Sequence, residues 1–169
     1  MEAEVRRGAT IKETSERIAA ARTTDEALTA LTEGLVRLFD AGGAEAFLLD
    51  DEAEHLHGRI AQPAELQETI RKVRVSVDDE ASANAIAFRT RGAVVIDDAE
   101  TDPRAKKWLM VFYRTKSLMS IPIMTADKTF GTVAVIEHGS RHFTEQEVRT
   151  ALSLAGKTAE TLERVSRGE

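Results

Sequence analysis

Apolar residues recur at helical spacing near both ends of the chain. Leu28, Leu31, Leu35 and Leu38 fall three or four apart and share one helical face. Thr23 and Glu26, just before them, have capping-box spacing, in which a hydroxyl and a carboxylate satisfy orphan amides of the first turn. Further upstream, Ile11 and Ile18 lie seven apart in a polar, alanine-containing stretch. That pattern predicts a helical arm over residues 1–22, able to pack on a partner helix as a short coiled coil. Near the other end, Val148, Leu152, Ala155, Ala159 and Leu162 alternate steps of four and three, a second one-sided stripe. Thr144 with Glu147 repeats the capping-box spacing, and Phe143 with Val148 has that of a hydrophobic staple.

Between these helices the period shortens. Gly42 and Gly43 are expected to stop the first helix, and Ala44 to Leu49 read as a short buried strand. "EHLHGRIA" reads as its hairpin partner. "AELQETIRKV" reads equally as helix or loop. "VRVSVD" alternates Val73, Val75 and Val77, a strand with one buried face. "SANAIAFRTRG" reads as a short helix capped by Ser82 and ended by Gly92, followed by a strand from Ala93 to Ile96. Asp102 with Pro103 is the pair expected to start a helix, Asp as N-cap and Pro at the first helical position, running to Arg114. "SLMSIPIM" is a strand in which Pro122 removes a ladder donor, placing it at an edge or a strand end. "TADKT" is a turn, and "FGTVAVIEH" is apolar enough for a strand buried on both faces.

Composition narrows the function more than the fold. The chain has 169 residues, 42% hydrophobic, enough to bury a core. Its net charge of −6 opposes binding to phosphate backbones, so nucleic acid is not an expected partner. No apolar run approaches the ~18 residues of a membrane span. "MEAEVRRGAT" lacks the apolar core of a secretory signal, so the expected location is cytoplasmic. The absence of cysteine removes thiol nucleophiles, disulfides, iron–sulfur clusters and cysteine-ligated zinc.

Four stretches carry a resemblance to a known family: "TRGAVVIDDAETDPR", "KSLMSIPIM", "TFGTVAVIEH" and "HFTEQEVRTALSLAGKTAETLE". In this order and spacing, from Thr24 to Val165, the chain resembles a GAF domain, a small-molecule-sensing module of signalling proteins. The resemblance implies an α+β fold over residues 23–166. Its central antiparallel sheet has five to six strands, with the N- and C-terminal helices on one face and connecting helices on the other. It also implies a ligand pocket on the connecting-helix side. Cyclic-nucleotide-binding members carry an Asn-Lys pair, then Phe, three residues and Asp-Glu. In "EHGSRHFTEQEV", Phe143 and Glu147 match. Glu137-His138 replaces Asn-Lys and Val148 replaces the last acid, so that motif's lysine–carboxylate bridge has no lysine. Bilin attachment and thiol-dependent sulfoxide reduction, known in some members, both require a cysteine that is absent. The helical ends suit a piece of a longer signalling protein.

Several residues bear chemistry. Asp97, Asp98, Glu100 and Asp102 offer oxygen ligands for a hard cation, but no calcium-loop spacing accompanies them and Asp102 already has a role as a cap. Asp97 and Asp98 read as turn residues first and as a ligand edge second. His55 and His57 point the same way on a strand and offer imidazole to zinc or haem, without an evident third ligand. His138 and His142 flank a loop. Trp108 and Phe112, four apart, share a helical face beside Tyr113, and read equally as core or pocket wall. Either Ser117 or Ser120 should face inward, depending on strand register. Met119 lies between them.

The expected ligand-binding set is therefore Trp108, Phe112, Tyr113, Ser117, Met119, Asp97 and Asp98. The expected dimerisation set is Ile11, Ile18, Val148, Leu152, Ala155, Ala159 and Leu162, pairing two copies through the terminal helices. The leading expectation is a sensor whose ligand and cofactor the sequence does not name. The alternative is a structural dimerisation module with a filled pocket, and a third is a haem or cyclic-nucleotide sensor. An enzyme is not expected, because no nucleophile–base set or phosphate loop is present.

Overall fold

The computed structural model describes residues 1–168. Two long helices come first, α1 (Glu2–Ala20) and α2 (Thr24–Phe39). Thr23 caps α2 by accepting from Glu26 N–H, while the Glu26 carboxylate reaches Arg22 N–H, one residue beyond the expected amide. The expected glycine stop is replaced by Asp40, which takes the left-handed conformation at φ 48°. Gly43 instead opens the first strand. A Cβ there would come within 2.6 Å of the Gln62 carbonyl oxygen, so the position requires close backbone approach.

The strands are β1 (Gly43–Leu49), β2 (His55–Gln62), β3 (Arg74–Ser76), β4 (Val94–Ile96), β5 (Ser117–Met124) and β6 (Thr129–Glu137). They form one antiparallel sheet in the order β3-β2-β1-β6-β5-β4. The α+β sheet expected from the sequence is therefore present with six strands. The ambiguous segment before β3 is helical in two short turns, a 3₁₀ turn at Ala64–Leu66 and α3 (Gln67–Ile70). Pro122 lies in a strand bordered on both sides, yet β4 reaches only Leu118 to Ser120. The missing amide therefore falls where β5 has no second neighbour.

Period-two alternation divides β5 between two cores. Met119, Ile121 and Ile123 enter one core with Leu28, Leu31 and Leu35 of α2 and with Leu154 and Ala155 of α6 (Glu145–Ser166). Leu118 enters the other, with Phe47, Ile96 and Ile136 and the alanines of α4 (Ala83–Thr90). Ser82 caps α4, and Arg91 at φ 56° ends it one residue before the expected glycine. The α6 start carries both arms of its capping box.

Helix α1 is part of the domain rather than a free arm along its whole length. Ile18 is fully buried, Thr161 Oγ1 donates to its carbonyl, and Arg164 donates to those of Ala19 and Ala21. The first eight residues of α1 stay exposed. No described helix is long and apolar enough to cross a membrane.

Candidate functional site

The loop after β4 does not start a helix at Asp102. Arg104 donates to both Asp102 carboxylate oxygens, at 3.0 and 2.7 Å, and to the Val95 carbonyl. Asp102 Oδ1 also accepts from Arg104 N–H, and the Asp102 carbonyl from Ala105 N–H. These bonds close a turn, and helix α5 (Lys107–Phe112) begins four residues later than expected, with Lys106 as N-cap. The guanidinium beside Asp102 holds its carboxyl below the usual range. Lys107 ties the loop from the other side by donating to the Ala99 and Asp102 carbonyls.

Helix α5 and its C-cap Tyr113 present two faces. Leu109 and Tyr113 point into the core, whereas Trp108, Val111 and Phe112 are 55, 78 and 58% exposed. Trp108 and Phe112 do share a face, but it is the outward one, so neither lines the sheet. A six-residue helix anchored through Leu109 and Tyr113 has no second face to bury. Phe112 meets the Tyr113 ring edge-on at 5.1 Å.

Strand register settles the serines. Ser117 and Met119 lie on the side of the sheet away from α4, where Met119 is core and Ser117 Oγ donates to the Gly139 carbonyl. Both are removed from the expected ligand set. Ser120 faces α4 and donates to Asn84 Oδ1 at 2.7 Å, and Thr132 Oγ1 donates to the same atom at 3.1 Å. Asp97 pairs with His142 at 2.8 Å on the surface. Asp98 accepts from Glu100 N–H and meets Lys116 at 3.2 Å, and these contacts, the amide foremost, lower its pKa. Both acids are thus turn and surface residues.

Two polar groups are on the α4 side, Glu45, which the sequence did not single out, and Tyr113, which it placed in the ligand set. Glu45 of β1 is 5% exposed and has no hydrogen bond or ion pair among the described residues. Its cross-strand neighbours, Ala61 and Ala134, offer no polar atom beyond the backbone. Burial pushes its carboxyl up from 4.5 to about 7. Tyr113 is 4% exposed and its hydroxyl is also unpartnered; burial, and then the Glu45 charge, push the phenol up to about 12. The Thr115 hydroxyl is the other buried hydroxyl without a partner among the described residues. Native proteins rarely leave such groups unmatched.

Thr115 also lines a cavity of about 380 Å³, bounded by Met110 and Val111 of α5, Arg114, Lys116 and His138. The cavity opens where α5 ends and β5 begins. Its size falls within the usual ~300–1,000 Å³ of small-molecule sites.

The remaining histidines take ordinary partners. His55 lies 3.4 Å from Asp50, His57 bonds the Arg71 carbonyl, and His138 bonds the Arg114 carbonyl. No group of three metal-ligating side chains occurs among the described residues.

Of the expected dimerisation set, Ile18, Ala155, Ala159 and Leu162 are closed within this chain's own core. Ile11, Val148 and Leu152 are partly buried against it. A single chain already supplies the partner face that the stripes required.

A family model described as GAF domain matches residues 21–163. No curated protein matches the sequence. Solved structures share the fold. The GAF domain of a phosphoenolpyruvate-protein phosphotransferase from Coxiella burnetii superposes with a TM-score of 0.85 at 18% identity, covering 96% of this chain and 95% of that one. Its Acinetobacter counterpart gives 0.82 at 12% identity, covering 96% of each chain. A segment of a methyl-accepting chemotaxis protein gives 0.77 at 21% identity, covering 92% of this chain and 98% of that one.

Proposed function

Because this chain belongs to the GAF domain family, we propose that it is a sensory module of a signalling protein that binds a small molecule beside α5. The observation carrying this reading is the segment Tyr113–Arg114–Thr115. It places two buried, unpartnered hydroxyls around an exposed guanidinium, and its last two residues line a cavity of about 380 Å³. A bound molecule would offer partners to Arg114 and to the Thr115 hydroxyl. It would also sit at one end of a path to the terminal helices. The cavity adjoins the start of β5, and further along that strand Met119, Ile121 and Ile123 pack beneath α2 and α6. A ligand that prefers one setting of β5 would bias the terminal helices by shifting populations.

Catalysis is not part of the proposal, since the site holds no nucleophile–base pair. Pairing of two copies would use the outer surfaces of α1 and α6.

A thermal-shift screen of nucleotides, haem, carboxylates and amines tests the reading. A ligand at a hundredfold its Kd adds about 2.7 kcal/mol of stability. The expected result is a shift in the unaltered protein that is reduced in Thr115→Val. No shift with any class of compound would return the domain to a structural role.

A further inference from the structure

We propose that the cavity beside α5 takes a small organic anion, with a carboxylate or phosphate group on Arg114 and an apolar body on Met110 and Val111. This rests on the ligand-sensing reading of the same site and names the chemistry of its ligand.

Three basic side chains, Lys107, Arg114 and Lys116, line the cavity against one acidic one, Glu100. That is a local positive field in a chain whose net charge is −6. Two of the three have structural work. Lys107 donates to loop carbonyls, and Lys116 lies 3.2 Å from Asp98 and 3.8 Å from Glu100. The Arg114 guanidinium has no hydrogen bond or ion pair among the described residues. Neighbouring arginines differ: Arg89 caps two carbonyls, Arg91 ties the β5–β6 turn, Arg104 grips Asp102, and Arg141 joins Glu137 to Glu147.

The backbone holds Arg114 in place, in the left-handed conformation that also ends α2 at Asp40 and α4 at Arg91. Its φ is 51°, in the left-handed region where glycine is the unstrained choice. Two bonds hold it there. Its amide donates to the Val111 carbonyl, and His138 Nδ1 donates to its own carbonyl at 2.9 Å. The exposed guanidinium, at a cavity wall and with no partner among the described residues, has its full fork open to a ligand. The guanidinium fork matches the paired oxygens of a carboxylate or phosphate. The adjacent Thr115 hydroxyl supplies a further donor, and Lys116 a point charge.

Benzoate, phenyl phosphate, the neutral benzamide and the cationic benzylamine separate the possibilities by calorimetry, with fluorescence of Trp108, the single tryptophan, as a second readout. The expected result is saturable binding of benzoate or phenyl phosphate, the stronger of the two identifying the anionic group. It should weaken by about tenfold or more in Arg114→Gly and less in Arg114→Lys. Arg114→Gly relieves the backbone strain, so misfolding would not confuse the result. Equal affinity in Arg114→Gly, or no saturable binding of either anion, overturns the proposal. Benzamide or benzylamine binding at least as tightly as the anions, in a manner sensitive to Thr115→Val, overturns the anionic assignment while leaving the ligand-sensing reading in place.

Discussion

Arg141 and Glu147 meet at 2.6 Å, and the same guanidinium reaches Glu137 at 2.7 Å on its other nitrogen. One side chain thus joins the end of β6 to the first turn of α6. It also donates to the Phe39 carbonyl at the end of α2 and lies 4.6 Å from the centre of the Phe143 ring. The cyclic-nucleotide motif would have placed a lysine at His138, and a bridge forms here through an arginine three residues later. Lysine could not fork between two carboxylates and a carbonyl in this way. Arg141→Ala is expected to cost about 2 kcal/mol, measured by urea unfolding, because it leaves two part-buried acids without their cation. Arg141→Lys should recover part of that loss. A cost near zero in Arg141→Ala would show that the bridge does not hold α6.

Glu45 sets an unusual pH dependence. Its carboxyl is raised by burial from 4.5 to about 7, so the folded state holds the proton more tightly than the unfolded state. The sign follows: stability is greatest below the unfolded value, falls as pH rises between about 4.5 and 7, and is level above that. The total change is about 3 kcal/mol. Asp79, Asp102 and Glu147 act oppositely. Their pKa values are lowered, so their contribution is present above the usual carboxylate range and lost as pH falls below it. The window from about pH 5 to 7 therefore reports Glu45 among the shifted carboxylates. Urea midpoints at both ends of that window should fall with pH in the unaltered protein and vary less in Glu45→Gln. An unchanged slope in Glu45→Gln would show that another group controls it.

Which parts of this were legible in the sequence follows from how local their causes are. Thr23, Ser82 and Thr144 cap their helices as read, because a cap depends on residues only three positions away. The antiparallel sheet was legible through alternation and through the four family-like stretches. Asp102-Pro103 misled because a non-adjacent contact, Arg104 to the Val95 carbonyl, helps close a turn where the local signal favours a helix. Trp108 and Phe112 misled for a related reason. Helical spacing shows that two residues share a face, but not whether that face looks inward. Glu45 left almost no trace. In "AGGAEAFLL" a single acid in a short strand reads as a solvent-facing position, and only the sheet order places it on a covered central strand. Of the cavity residues, Arg114 closed the predicted helix and Lys116 opened a family-like stretch, but Thr115 fell between them, and neither signal shows that the three border one cavity.

The unpartnered hydroxyls predict a gain on removal. A buried hydroxyl without a partner loses its water hydrogen bonds and gains nothing in return. Thr115→Val keeps the shape and removes the oxygen, and Tyr113→Phe does the same in the aromatic core. Each should raise stability by about 1 kcal/mol, seen as a higher urea midpoint with an unchanged slope. Thr115→Val, the one of the two that borders the α5 cavity, should also weaken ligand binding there. A loss of stability in both variants would mean that the hydroxyls already have partners, and the main argument for a ligand there would lapse.

Thr14 and Gly34 decide whether α1 belongs to the domain in solution. The family match begins at residue 21, after α1 ends, yet Thr14 is 3% exposed and packs on α2. A Cβ at Gly34 would lie 2.3 Å from Thr14 Cγ2 and 2.4 Å from its Oγ1, closer than any real contact allows. Ordinarily alanine in place of a helical glycine stabilises by up to ~1 kcal/mol. Here the closeness of α1 reverses the sign, and Gly34→Ala should cost about 2 kcal/mol through overpacking. Thr14→Ala removes the two nearest atoms and leaves its own Cβ at 2.9 Å, so it should relieve most of the clash. The two changes should therefore be coupled by about 1 kcal/mol in a double-mutant cycle of urea unfolding. If Gly34→Ala instead stabilises the protein and the effects simply add, α1 is undocked in solution and the helical layer consists of α2 and α6 alone.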